Sequence, residues 1–454
     1  MTYQLENMDI YQIAKGIREK KFNCLEVTDY FLKRIDESDE FNAFVYVAHE
    51  QARQHARTLD QELEFGHDRG LLHGIPIAIK DLFHVKGMRT TAGAGYLRSS
   101  VEQEDDAAFV EKLKTAGVNI IGKNNMAELA VGFTSRNTSF GDINNPIKPN
   151  YTAGGSSGGT AAAVTAGLCV AGIGSDTGGS IRLPASVCGL VGIRPTRGLV
   201  DLHGGISRAN TLDTAGPMAK NLSDALILLR AMYGLATPFD LIKRGNGFAG
   251  DINLSELSIA LPNLSFLQKV DEDIRDIFSN LDELLQKNKI KVKEAPLSLF
   301  EKIDESGVAI NLLRYEFNIH MQELFNGEIP TQVFAPSVYE DIEHGSQISN
   351  FEYAECLLKR AKLINEFSQL FKKVDAILLP IMGTGVPKID ASNDVFESAR
   401  QFLMPASFLG MPAMSVPYGN DKNGMPVGVQ IIGNHFHEEE IMKLAYVING
   451  SNLL

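Results

Sequence analysis

From Leu71 onward, short apolar runs closed by glycine alternate with stretches of helical spacing, as in "GIPIAIKD", "FVEKLKTAGVNIIGK" and "LCVAGIGSDTGG". Runs too short for helices, set between segments long enough to be helices, predict an α/β chain. Three later segments, "VDAILLP", "AMSVPYG" and "PVGVQIIG", read as strands. The turn-rich "NDKNGM" joins the last two, so the chain is expected to return to the same sheet. Residues 1–65 read as N-terminal helices, with Ile10, Ile13 and Ile17 at helical spacing. Residues 236–370 are more charged and helical, and "DEDIRDIFSNLDELLQKNKIKVKE" is an amphipathic helix running toward a strand. We read this stretch as a more variable elaboration of one domain spanning 1–454.

Composition limits what such a protein can serve. A chain of 454 residues, 44% hydrophobic, can bury a large core. Its net charge of −13 offers no basic field to gather a phosphate backbone, so nucleic acid bound by this chain alone is not expected. The start, "MTYQLENMDIYQIAKGIREK", lacks a basic segment followed by an apolar core, and no run of roughly 18 apolar residues occurs. The expectation is a cytoplasmic protein that does not enter a membrane. Cys24, Cys169, Cys188 and Cys356 are too scattered for a metal knuckle or a disulfide framework and read as buried free thiols.

Chemistry concentrates around "YTAGGSSGGTAAAV", residues 151–164. A flexible linker would sit in polar surroundings, whereas Pro146 and Pro149 precede this stretch and an alanine-rich run follows it. A phosphate cradle would need a closing lysine and hydroxyl, or three spaced glycines with a later acid, and neither pattern is completed. What remains is a sharp turn into a short helix, about 160–166, capped by Gly167 and followed by a strand over 168–173. Helix and strand bring the serine turn and the following "GSDTGGSIRLPAS" to one sheet edge, where sites of open α/β sheets lie. Gly178 and Gly179 let the peptides of Thr177, Gly178, Gly179 and Ser180 form an oxyanion hole, with Ser180 as nucleophile.

A serine needs a base, and no histidine lies in either loop. The ten histidines, among them His73, His84, His203, His435 and His437, read as structural or surface residues. "GIPIAIKD" supplies another candidate: Ile75, Ile77 and Ile79 alternate with Pro76, Ala78 and Lys80, leaving a lysine at the end of an apolar strand. Such a side chain either snorkels to water or, if buried, loses its proton readily enough to act as a base.

These segments, with "GGSSGG", "CGLVGIRPT", "TLDTAGP", "GMPAMSVPYG" and "GMPVGVQIIG", resemble the amidase signature family of serine hydrolases in kind and in order. The motif-level similarity covers about residues 71–220 and 374–433. The resemblance implies the amidase signature fold, a mixed β-sheet core flanked by helices on both faces. It also implies a Ser-Ser-Lys triad: Ser180 as nucleophile, Ser156 as bridging serine after a cis Gly155–Ser156 peptide, and Lys80 as base. Asp176 and Arg182 would support the nucleophile loop, and Ala130, Val131 and Gly132 would line the acyl side of the pocket. Neither metal nor organic cofactor is implied.

Three functions are compatible with the resemblance. The first is an amidohydrolase of a small carboxamide or urea-like amide, and the second is the A subunit of a tRNA-dependent amidotransferase, which works on glutamine within a complex. The third is a catalytically silent scaffold. The A subunits tend to carry an acid five positions before the proline matching Pro405, to grip the substrate's ammonium; here stands Arg400. An arginine suits a carboxylate, which places the first reading ahead and makes Arg400 a substrate-binding candidate. Homo-oligomerisation is left open.

Overall fold

Among the described residues, eleven strands share one sheet: β1 (Phe44–Val47), β2 (Pro76–Lys80), β3 (Asn119–Asn124), β4 (Ala171–Asp176), β5 (Val191–Arg194), β6 (Thr214–Ala219), β7 (Ser258–Leu261), β8 (Lys291–Glu294), β9 (Ala376–Pro380), β10 (Ala413–Asn420) and β11 (Pro426–Gly433). They lie in the order β1-β3-β2-β4-β6-β5-β10-β11-β9-β7-β8. This computed structural model describes residues 3–235, 237, 256–262, 270–294, 298–305, 307–392 and 394–450. The sheet is mixed: β3, β2 and β4 run parallel, as do β9, β7 and β8, while antiparallel ladders join the strands between.

Every residue of β2, β3 and β4 is buried, so helices cover the two faces there, as parallel strands buried on both sides require. The outer strand β8, "KVKE", is mostly exposed, and its lysines blunt an edge that would otherwise recruit another strand. The late strands return as expected, β10 pairing with β5 and β11 with β9. The amphipathic helix Glu272–Lys287 buries Ile274, Ile277, Phe278, Leu281 and Leu285, and leads into β8. Within the elaboration, residues 236, 238–255, 263–269, 295–297 and 306 lie outside the described residues.

The helix after the serine turn is Gly158–Thr165, ended by Gly167 at φ 66°. The strand expected over 168–173 lies three residues later. Residues 168–170 are spent in the turn, and antiparallel pairing with β6 extends β4 to Asp176, opposite Thr214. This helix approaches β4 closely because Gly172 has no side chain: a Cβ there would lie 2.5 Å from Thr160 Cγ2.

Candidate active site

The parallel pairing of β2 with β4 sets Lys80 beside the end of β4, and the helix Gly158–Thr165 places the serine turn above both. Lys80 Nζ, fully buried, donates to Ser156 Oγ at 2.7 Å and to Ser175 Oγ at 2.8 Å. Burial holds its pKa well below the usual lysine range; Asp213 and Asp176 oppose that, and Arg208 reinforces it. A neutral amine bonded to a serine hydroxyl can accept that hydroxyl's proton. The Gly155–Ser156 peptide is cis.

Ser175 is a partner that sequence reasoning missed. With the strand expected to end at 173, Ser175 falls in a loop, although a hydroxyl next to a lysine-bearing strand is a signal. Ser157 anchors the turn to β4 by donating to Ser175 O and accepting from Ser175 N.

Ser180, 4% exposed, lies in the turn between β4 and the helix Arg182–Val187. Its hydroxyl makes no hydrogen bond among the described residues; nucleophile–base contacts are commonly long until substrate binds. Gly179, at φ 131°, donates its N–H to Asp176 Oδ1 at 2.8 Å. That corrects the expected oxyanion hole: Gly179's amide is committed to a carboxylate, leaving those of Thr177, Gly178 and Ser180.

Asp176 and Arg182 do meet, through Nε–Oδ2 and Nη2–Oδ1 contacts of 2.9 Å each. Arg194, a second partner not read from the sequence, bonds both the Asp176 carboxylate and its carbonyl. Burial alone would raise the Asp176 pKa, and the two guanidiniums overcome it, holding the carboxyl well below the usual range. Arg182 also reaches Leu403 O at 2.9 Å and Ser407 Oγ at 2.7 Å, tying the helix Asp394–Leu409 to the nucleophile loop.

Val131, Gly132 and Arg400 line one cleft of about 440 Å³, together with Glu128, Arg208 and Asp341. Ala130 is not part of that lining. It stands behind the wall at φ 60°, its carbonyl taken by Arg208. Asp341 in turn accepts from Arg208 at 2.7 Å and Arg314 at 2.9 Å. These groups come from segments far apart in the chain, so no local motif announces them. Ser180 is not in the cleft lining, but the catalytic turn adjoins it: a Cβ on Gly155 would sit 2.3 Å from Thr134 O, in the cleft wall.

His73 and His435 each contact a main-chain carbonyl, of Leu59 and Leu409. Among the described residues no cluster of three or more His, Cys, Asp or Glu could hold a metal ion, and no helix is long and apolar enough to cross a membrane. The four cysteines are free and buried, and burial pushes their thiols up.

A family model described as Amidase matches residues 26–442. The chain is 33% identical to the A subunit of the glutamyl-tRNA(Gln) amidotransferase of Alkaliphilus metalliredigens (strain QYMF), over 98% of this chain and 96% of that protein. Among solved structures it superposes on a protein described as an amidase with a TM-score of 0.87 and 31% identity, covering 98% and 99% of the two chains. A peptide amidase bound to the competitive inhibitor chymostatin matches with a TM-score of 0.85 and 25% identity, over 99% and 98%.

Proposed function

The chain belongs to the amidase family, and from that premise we propose that it cleaves the carbon–nitrogen bond of an amide through an acyl-enzyme on Ser180. The observation that carries this reading is the buried Lys80 amine bonded to Ser156. Lys80, neutral, takes the proton of Ser156 as Ser156 takes that of Ser180, whose oxygen attacks the amide carbonyl. The oxyanion rests on the amides of Thr177, Gly178 and Ser180. Collapse breaks the C–N bond while Ser156 returns the proton to the leaving nitrogen. Water then repeats the attack along the same relay and releases the acid.

For the substrate, the relative of nearly equal length favours glutamine, used within an amidotransferase assembly. The cleft supports that reading by offering carboxylates, Glu128 and Glu340, beside the guanidiniums of Arg208 and Arg400, as a zwitterionic amide requires. A second reading, a free-standing hydrolase of a small acidic amide, has Arg400 in its favour: it lines the cleft where an acid is expected for glutamine.

The mechanism is tested with a fluorophosphonate. The adduct is expected on Ser180, with labelling and ammonia release both lost in Ser180→Ala. An adduct on another serine, with Ser180 unmodified, overturns the assignment.

A further inference from the structure

One carboxylate outside the triad links the nucleophile loop to the turn that carries Arg208. Asp213 precedes β6 and lies next to the nucleophile loop through the Asp176–Thr214 pairing. Its Oδ1 accepts from Thr177 Oγ1 at 2.6 Å. Its Oδ2 accepts from Ser207 Oγ at 2.8 Å and from the amides of Arg208 and Ala209 at 2.9 and 3.0 Å. Thr177 opens the loop that carries Ser180, and Arg208 runs from its turn into the cleft wall. Among the described residues Asp213 forms no ion pair. Asp176, by contrast, is neutralised by two arginines.

Resting on the mechanism above, we propose that Asp213 is a positioning residue that fixes the oxyanion loop relative to the substrate cleft and adds a negative charge to the neighbourhood of Lys80, whose Nζ donates to Ser175 on the strand paired with the one Asp213 precedes. The tether acts through Thr177: without it the first oxyanion amide is free to shift, and small displacements of this kind cost rate rather than binding. The charge acts on the base. Asp213 and Asp176 favour the lysine's ammonium form, and Arg208 opposes it; on the neighbouring β3, Lys123 is 2.8 Å from Asp81 and so largely compensated. Asp213 thus opposes the desolvation that makes Lys80 a base, and sets how low the pH can fall before the base is lost.

Two variants separate these effects. In Asp213→Asn the amide oxygen can face the Arg208 and Ala209 amides while its nitrogen donates to Thr177 Oγ1, so the frame is kept and the charge removed. The acidic limb of kcat/KM is expected to move to lower pH by at least about half a unit, because the lysine then loses its proton more readily. Thr177→Val removes the tether and keeps the charge: kcat is expected to fall roughly 10- to 100-fold with KM within about twofold, and the acidic limb unmoved.

Fluorophosphonate labelling of Ser180, followed against pH in the same variants, gives the readout without an amide substrate. If the wild type labels but hydrolyses no amide, the functional reading fails, and the limb shift in labelling still judges Asp213. An unmoved or upward-shifted limb in Asp213→Asn, or an unchanged kcat in Thr177→Val, overturns the proposal. Loss of labelling in every variant with folding intact by circular dichroism also overturns it, since the charge-neutral frame should still react.

Discussion

Lys80 keeps two hydrogen bonds while wholly withdrawn from water, an arrangement that favours the neutral amine over the ammonium. Lys80→Ala is expected to abolish turnover by more than about 10²-fold, the lower end of what loss of a general base costs. The same residue predicts a stability signature. Its pKa is lowered in the folded state, so between that value and the ordinary lysine value of about 10.4 the unfolded chain binds more protons. Wild-type stability therefore carries a component that rises with pH through this window, and Lys80→Ala lacks it. Melting temperatures of the two proteins, measured from about pH 6 to the lysine range, should draw apart in that sense. Parallel curves would mean that Lys80 is not held neutral by the fold.

At the level of elements, Lys80 and Ser180 are legible in the sequence because a lysine closes an otherwise apolar strand and a serine follows two glycines at a strand end. Ser156 is legible only through resemblance; nothing in "GGSSGG" itself chooses between Ser156 and Ser157. Ser175, Arg194, Arg208 and Asp213 are not legible, since each acquires its role from pairing across the sheet or from a cleft assembled by remote segments. The placing of β4 three residues early shows the physical limit: apolar content locates a strand, but the ladder to β6 decides where it ends.

A second element-scale junction lies far from the site. The first helix, Ile10–Arg18, docks its Ile10 N–H on Asp224 Oδ1 at 3.0 Å, beneath Asn221 and near Asp9. Burial first, then Asp9, pushes Asp224 up to about 7, against the pull of its hydrogen bonds and Lys220. The folded state thus binds a proton that the unfolded chain releases near 3.9, so stability is fully present below that pH and lost as pH rises through about 7. The loss is on the order of a few kcal/mol. Asp224→Asn should flatten that slope, read as a melting-temperature difference that opens between about pH 5 and about pH 8. An equal pH slope in wild type and variant would place the titration elsewhere.

Over the whole molecule, the helix Asp394–Leu409 makes two unlike contributions: its Ser407 accepts from Arg182, the support of the nucleophile loop, and its Arg400 lines the cleft. On the proposed reading the arginines of that cleft bind a substrate carboxylate and its acids an ammonium, and glutamine offers the two together. The isolated chain is therefore expected to release ammonia from glutamine with kcat/KM at least about tenfold above that for an uncharged primary amide, a difference of about 1.4 kcal/mol in transition-state binding. Arg400→Asp puts an acid where the A subunits carry one, so KM for glutamine is expected to fall while the uncharged amide stays nearly unaffected, because only the former has an ammonium to pair. A small acidic amide preferred over glutamine by the same margin would instead assign the chain as a free-standing hydrolase. Arg400 would then read the carboxylate with no ammonium to accommodate, and the acids of the cleft would serve only to hold its arginines in place.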